Sequence, residues 1–299
     1  MKSEKRNPPA SVHQRLLNKA HATGQAFNEL IQYYAIERLL YRLSISDYSE
    51  QFTLKGALMF TVWGLANARA TRDIDLLGRT RNRIDHLVKI FQDICRSKAE
   101  PDGLEFDANQ VEGRRIKEDA DYEGVRITTT ARLGKTRLPI QIDIGFADVI
   151  TPQPELLEYP TVLDFPAPKL YAYPPETVIA EKLQAMTVLG MANSRMKDFY
   201  DIWKLAAHFE FDGRTLQSAL EKTFQNRDTE LPDEAHEIFS DRFAENQKEQ
   251  WRAFTRKIKG EPTVEMKQIL DLLRDFLMPI LQANQQGLVL KKTWKNRWR

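Results

Sequence analysis

The sequence predicts an α+β fold, a mixed sheet covered by helices and followed by a helical C-terminal half. Three observations carry that reading. Apolar residues recur at helical spacing from Ser11 to Leu43, alternate with a period of two over parts of Leu104 to Ile150, and return to helical spacing from Val178 onward. Between Phe52 and Gly78 a short strand, a glycine turn, an apolar helical segment and a second strand follow one another. Prolines at 152, 154, 160, 166, 168, 174 and 175 then separate the strand-rich part from the helical part.

Each element has its own signal. Gly24 breaks the first helical run into two helices, expected to cover the sheet. Phe52 to Leu54 and Ile74 to Leu77 read as strands around the turn at Gly56, and Asn82 to Arg96 returns to helical spacing through Leu87, Phe91 and Ile94. Val125, Ile127 and Thr129 alternate, as do Ile140, Ile142 and Ile144. The prolines of Thr151 to Pro175 argue for an extended connection without regular structure and for a domain boundary. Pro175 then suits a helix start and Gly190 its stop. A helix introduced by Ser194 follows, and Phe209 to Ala283 reads as all-helical, with a turn at Asp212 and Gly213.

Composition bounds the class. The chain has 299 residues, 42% of them hydrophobic and 10% aromatic, enough for a sizeable core. A net charge of +2 is too small to indicate a nucleic-acid partner by itself. The single Cys95 has no internal disulfide partner and falls in an apolar helical pattern, as a buried thiol of a reducing compartment does. No stretch reaches the roughly eighteen apolar residues of a membrane span, and the N-terminus lacks the apolar core of a signal peptide. The expectation is a cytoplasmic protein.

The chemistry-bearing residues are carboxylates. Along the strand at Ile74 to Leu77 and the residue before it, Asp73 and Asp75 project from one side and Ile74 and Leu76 from the other. Adjacent like charges repel unless a cation or proton lies between them, and Mg²⁺ takes hard oxygen ligands while keeping positions for water and phosphate. The same pattern suits a solvated strand end. The upstream glycine turn favours the metal reading, because its N–H groups and the following helix offer a concave route to a phosphate. Asp143 is an acid within the apolar run LPIQIDIGF, where it either reaches a cleft or metal, or pairs with an arginine or a backbone amide. Lys182 adjoins the apolar face of its helix, as a surface lysine paired with a carboxylate also does. Asp198 and Asp201 share a face with Arg195 one turn before Asp198, and early acids favour a helix N-terminus in any case.

Taken in order, LKGALMFTVWG, RATRDIDLLG, IQIDIGFAD, AEKLQAM and SRMKDFYDIW resemble the nucleotidyl transferase AbiEii/AbiGii toxin family, a branch of the polymerase-beta-like nucleotidyltransferase superfamily, over residues 50 to 205. The resemblance implies a nucleotidyltransferase-like domain over 1–165 and a mainly helical domain over 166–299 that completes the cleft. It implies transfer of a nucleotide from an NTP to an acceptor, RNA or tRNA, by the toxin of a type IV toxin–antitoxin or abortive-infection system, with a DNA-binding antitoxin encoded nearby and no membrane partner. Carried over by residue, Asp73 and Asp75 match the metal-binding pair and Asp143 the third carboxylate. Two Mg²⁺ ions are implied there, Mn²⁺ being the alternative. Lys182 matches the cleft lysine and Asp198 the acid of the next helix. Nucleotide contacts fall to Lys55, Gly56, Ala57, Arg72 and Lys182. One departure stands out, since Gly56-Ala57 replaces the Gly-Gly or Gly-Ser common in the family.

In that chemistry an acceptor hydroxyl attacks the α-phosphate in line and pyrophosphate leaves, with Asp143 or Asp198 helping to take the proton and Lys182 neutralising the triphosphate. Arg69, Arg72, Arg79, Arg81 and Arg83 flank the acidic pair in sequence and are expected to draw in NTP or RNA. The tail KKTWKNRWR, with Lys291, Lys292, Lys295, Arg297 and Arg299 around Trp294 and Trp298, suits either RNA stacking or simple docking on the helical part. The alternative function is a non-catalytic nucleotide- or partner-binding protein on the same fold, which Gly56-Ala57 favours and the retained carboxylates oppose. A metal phosphohydrolase is a further reading. The five histidines are scattered without metal spacing and do not support it.

Overall fold

A computed structural model of the chain describes residues 8–65, 71, 73–119, 122–233, 236–258 and 264–299. Its described residues fall into two compact units, one holding those up to Ala147 together with Leu156–Ala172, the other Asp148–Glu155 and Tyr173–Arg299.

The first unit begins with α1 (Pro8–Thr23) and α2 (Phe27–Ser44), parted by the left-handed Gly24 as the sequence predicts. Next come β1 (Phe52–Lys55), a turn of 3-10 helix over Gly56–Leu58, the short α3 (Met59–Val62), β2 (Asp73–Gly78) and α4 (Ile84–Arg96). The strands β3 (Leu104–Phe106), β4 (Glu112–Asp119), β5 (Tyr122–Leu133) and β6 (Thr136–Gly145) follow. The α+β expectation is met by an eight-stranded mixed sheet that also takes in β7 (Glu155–Glu158) and β8 (Lys169–Ala172), in the order β3-β5-β6-β2-β1-β8-β7, with β4 also on β5. β2 runs antiparallel to β1 and parallel to β6, and β5 and β6 form an antiparallel hairpin. On one face Leu54, Ile74, Leu76, Val125, Ile127, Ile142 and Ile144 are buried in a single core with apolar residues of α1, α2 and α4. Cys95 belongs to that core, and burial pushes its thiol up to about 11.

The proline-rich stretch departs from its expectation. It contains two strands, β7 (Glu155–Glu158) and β8 (Lys169–Ala172), and β8 extends the sheet by pairing parallel with β1. The prolines flank these strands without entering them, so no ladder donor is lost. Four-residue strands are too short for their period to stand out among seven prolines.

Buried charges tether this stretch to α2. Arg38 and Arg42 both bond Asp102, through Arg38 Nε at 3.1 Å and Arg42 Nη1 at 2.7 Å, while Arg38 Nη1 donates to the Pro166 carbonyl at 2.8 Å. Glu37 accepts from the Val162 N–H at 2.5 Å and lies 3.3 Å from Arg38 Nη1. Burial raises the Glu37 carboxyl to about 6 despite those donors.

The second unit is helical: α5 (Pro175–Leu189), α6 (Met196–His208), α7 (Gly213–Asn226), α8 (Asp241–Asn246), α9 (Lys248–Thr255) and α10 (Met266–Gln285). Pro175 opens α5 and Gly190, at positive φ, ends it, as predicted. Two expectations for Phe209 to Ala283 are corrected. Phe211–Asp212 form a strand, β9, paired with β10 (Thr293–Trp294), and Asp212 also caps α7 by accepting the Thr215 N–H. The helical reading is also interrupted at Ser240, whose hydroxyl accepts the Phe243 N–H and starts a new helix. No helix among the described residues is long and apolar enough to cross a membrane.

The tail is structural. Trp294 is 1% exposed and its Nε1 donates to the Ala206 carbonyl at 2.6 Å, while Trp298 donates to the Phe276 carbonyl and stacks on the Phe276 ring at 7°. Both indoles dock on the helical part, and the burial of Trp294 removes the RNA-stacking reading for that ring.

Candidate active site

The polar face of the large sheet carries the expected acids in one register. β1, β2, β6 and β5 place Lys55 beside Asp75, Asp75 beside Asp143 and Asp143 beside Arg126. One row of four strands therefore reads cation, acid, acid, cation. Two residues back along the strands, Asp73 lies beside Gln141. Asp73 and Asp75 are half-buried, and the residues between and after them, Ile74 and Leu76, are buried in the core. Alternation on β2 thus does what the sequence predicts.

Gly56 is fitted to this row. Its φ is +71°, and a Cβ added there would stand 2.0 Å from Asp75 Oδ2 and 2.7 Å from Asp75 Cβ. Only glycine both adopts that backbone and lets the Asp75 carboxylate approach so closely. Ala57 follows within the same 3-10 turn.

Asp143 is held by an arginine. Arg126 Nε and Nη2 each donate to one of its oxygens at 2.7 Å, a bidentate pair in which the side chains are 25% and 13% exposed. The hydrogen bond to Asp143, with the charges of Asp143, Asp73 and Asp75, holds the Arg126 guanidinium above its ordinary range. The three carboxylates and Arg126 are therefore one electrostatic cluster. Sequence reasoning named an arginine as one possible partner of Asp143 but did not identify it. The signal was present: counting outward from the two-residue turn Gly134–Lys135, with Gly134 at positive φ, places Arg126 opposite Asp143.

Among the described residues no three His, Cys, Asp or Glu side chains are grouped to hold a metal. The donors that fit Mg²⁺ are the Asp73 and Asp75 carboxylates, hard oxygen ligands on one half-buried face, which suits an ion that completes its shell with water and phosphate oxygens. At Asp143 an ion would compete with Arg126, which engages both oxygens.

In the second unit, Lys182 Nζ lies 2.8 Å from Asp198 Oδ1 and 2.8 Å from Asp201 Oδ2, and Arg195 Nε lies 2.7 Å from Asp198 Oδ2. Both carboxylates are buried, and Lys182 is 16% exposed. Burial alone would raise the Asp198 carboxyl, yet Lys182 and Arg195 hold it below the ordinary carboxylate value. The alternative explanation of Lys182, a lysine paired with a carboxylate, is met twice over. Asp201 as its second partner was not foreseen, although the helical spacing of Asp198 and Asp201 signalled it.

Arg69 and Arg72 lie outside the described residues. Arg79, Arg81 and Arg83 follow the far end of β2, so in space they do not flank Asp73 and Asp75 as they do in sequence. Four strand steps, about 13 Å, separate the Cα atoms of Asp75 and Arg79. Arg79 and Arg81 instead line an open depression of about 700 Å³ with Gln51, Thr80 and His86.

A family model described as nucleotidyl transferase AbiEii toxin, type IV toxin–antitoxin system, matches residues 38–274. Among solved structures the chain is similar to JHP933 from Helicobacter pylori, with a TM-score of 0.52 and 14% identity over 88% of this chain and 97% of that one, a likeness of fold. A second H. pylori structure, described as a candidate nucleotidyltransferase, has a TM-score of 0.48 and 13% identity with the same coverage. No curated protein matches.

Proposed function

The chain belongs to the AbiEii nucleotidyl transferase toxin family of type IV toxin–antitoxin systems, and on that premise we propose that it is a metal-dependent nucleotidyltransferase acting from NTP onto an RNA acceptor, tRNA included. The observation that carries the proposal is Asp75, set beside Asp143, with Asp73 on the same sheet face and the Gly56 turn against its carboxylate. Its counterpart in the proposal is a DNA-binding antitoxin.

Asp73 and Asp75 hold Mg²⁺ in this reading. When bound, the ion supplies neutralisation of the charge on the triphosphate and on the departing pyrophosphate. The chain's residues align the reactants: the turn at Lys55, Gly56 and Ala57 receives phosphate oxygens, and the sheet face orients the acceptor hydroxyl. The bond from that oxygen to the α-phosphorus forms as the bond to pyrophosphate breaks, and the hydroxyl proton passes to Asp143 once Arg126 has released its oxygens. Lys182, paired in the structure with Asp198 and Asp201, keeps its assignment as a positioned charge toward the triphosphate on the resemblance alone. Asp198, held below the ordinary carboxylate range, is a poor proton acceptor, and we assign it to orienting Lys182. Arg72 keeps its assignment to the nucleotide on the resemblance alone.

The test is transfer of label from each α-labelled NTP to total RNA with Mg²⁺, in the wild type and in Asp75→Ala. Label in RNA with the wild type and none with the variant is expected. Equal transfer by both would overturn the metal-pair mechanism. The Arg126–Asp143 pair favours one second reading, a binding protein without turnover. That reading predicts that NTP raises the melting temperature while no label is transferred.

A further inference from the structure

We infer that Arg126 is the resident cation of the carboxylate row, and that a divalent ion reaches Asp143 only by displacing it. The inference rests on the function proposed above and assigns a role to a residue outside the family's motif as it appears in this sequence. Asp143 presents two oxygens, and Arg126 covers both in a planar fork at 2.7 Å and 2.7 Å. Gln141 Nε2 adds a contact to Oδ2 at 3.5 Å. A guanidinium forked across both oxygens occupies the lone pairs that face it and sets a positive charge beside Asp143, so a divalent ion joining Asp143 and Asp75 competes with Arg126 for the same carboxylate.

Two arrangements of the row follow, one closed by Arg126 and one closed by metal. The first keeps Asp75 and Asp143 side by side while their repulsion is offset by internal charge, with Arg126 beyond Asp143 and Lys55 beyond Asp75. The second frees Asp143 for the ion and for the acceptor proton. Arg126 is suited to move between them because its side chain is 25% exposed, so the released guanidinium meets water. Arg126 is thus a positioning residue that sets the affinity of the metal step, and a weakened grip on Asp143 makes metal binding easier.

The experiment is Mn²⁺ titration, read by the free-ion electron paramagnetic resonance signal, without nucleotide. The wild type, Arg126→Met, Arg126→Lys and the double variant Arg126→Met with Asp75→Ala are compared. Loss of a charge competitor in direct contact with the ligand should tighten Mn²⁺ by about tenfold or more in Arg126→Met. Arg126→Lys, which keeps charge but loses the fork, should fall between the two. The gain should vanish in the double variant. Unchanged or weaker binding in Arg126→Met overturns the inference, as does a gain that survives Asp75→Ala. A measurement on the wild type guards against a misfolded variant: the Arg126 Nε–H nuclear magnetic resonance signal, assigned by its loss in Arg126→Lys, should shift and lose exchange protection at saturating Mg²⁺. An unmoved signal overturns the inference too. If Mn²⁺ tightens as expected but no nucleotide is transferred, the proposed activity fails and the role of Arg126 stands. If transfer occurs and Mn²⁺ affinity ignores Arg126, the reverse holds.

Discussion

Gly56→Ala offers the sharpest test of how the turn and the carboxylate row depend on each other. Two costs combine there. A non-glycine residue at positive φ is strained by about 1–2 kcal/mol, less the 0.4–1 kcal/mol or so that alanine recovers by restricting the unfolded chain. The added methyl would also stand 2.0 Å from Asp75 Oδ2, 2.6 Å from its Cγ and 2.7 Å from its Cβ. Because Cβ is fixed by the backbone, rotating the Asp75 side chain cannot relieve the overlap, and the strands must part at an overpacking cost of about 1–3 kcal/mol. The expected total is about 1–5 kcal/mol in urea unfolding. Gly24 supplies the control: its φ is +69° and an added Cβ would meet nothing within 4 Å, so Gly24→Ala should lose about 1 kcal/mol or less. Asp75→Gly removes all three colliding atoms, and the cycle with Gly56→Ala should recover about 1–3 kcal/mol of coupling. Equal losses at the two glycines, or no coupling to Asp75, would refute the reasoning.

Other consequences are as direct. Glu37, raised from 4.5 to about 6 by burial, binds its proton more tightly folded than unfolded, so stability should fall by about 2 kcal/mol as pH rises from 4.5 through 6. Glu37→Gln should flatten that part of the pH profile of chemical melts, and an unaltered slope would exclude Glu37 as its source. Asp198, held below its ordinary value, adds stability above pH 3.8 that is lost as pH falls through its native value. Lys182→Met leaves the buried Asp198 and Asp201 short of a cation and should cost about 3–5 kcal/mol at pH 7, narrowing in acid. An equal loss at pH 3 and pH 7 would contradict this. Trp294→Ala should destabilise the protein by about 3–5 kcal/mol, since it empties a site that is 1% exposed, and a loss under 1 kcal/mol would mean the tail is merely laid on the surface.

Local pattern was enough for much of this protein. The break at Gly24, the alternation of Asp73 and Asp75 against Ile74 and Leu76, the burial of Cys95 and the bounds of α5 all follow from periodicity and from backbone preferences of glycine and proline, which act within a few residues. The acids were legible for the same reason, because a charge inside an apolar strand is conspicuous. Pairings between distant segments were decided by tertiary structure. That β8 pairs with β1, that Trp294 finds the Ala206 carbonyl, and that Glu37, Arg38 and Asp102 neutralise one another in the core depend on which surfaces meet. Lys182 and Arg126 are the clearest cases. A residue's type shows only that it is a cation; its role is set by the carboxylate within 3 Å of it, and only the fold brings Asp198, Asp201 and Asp143 to that distance.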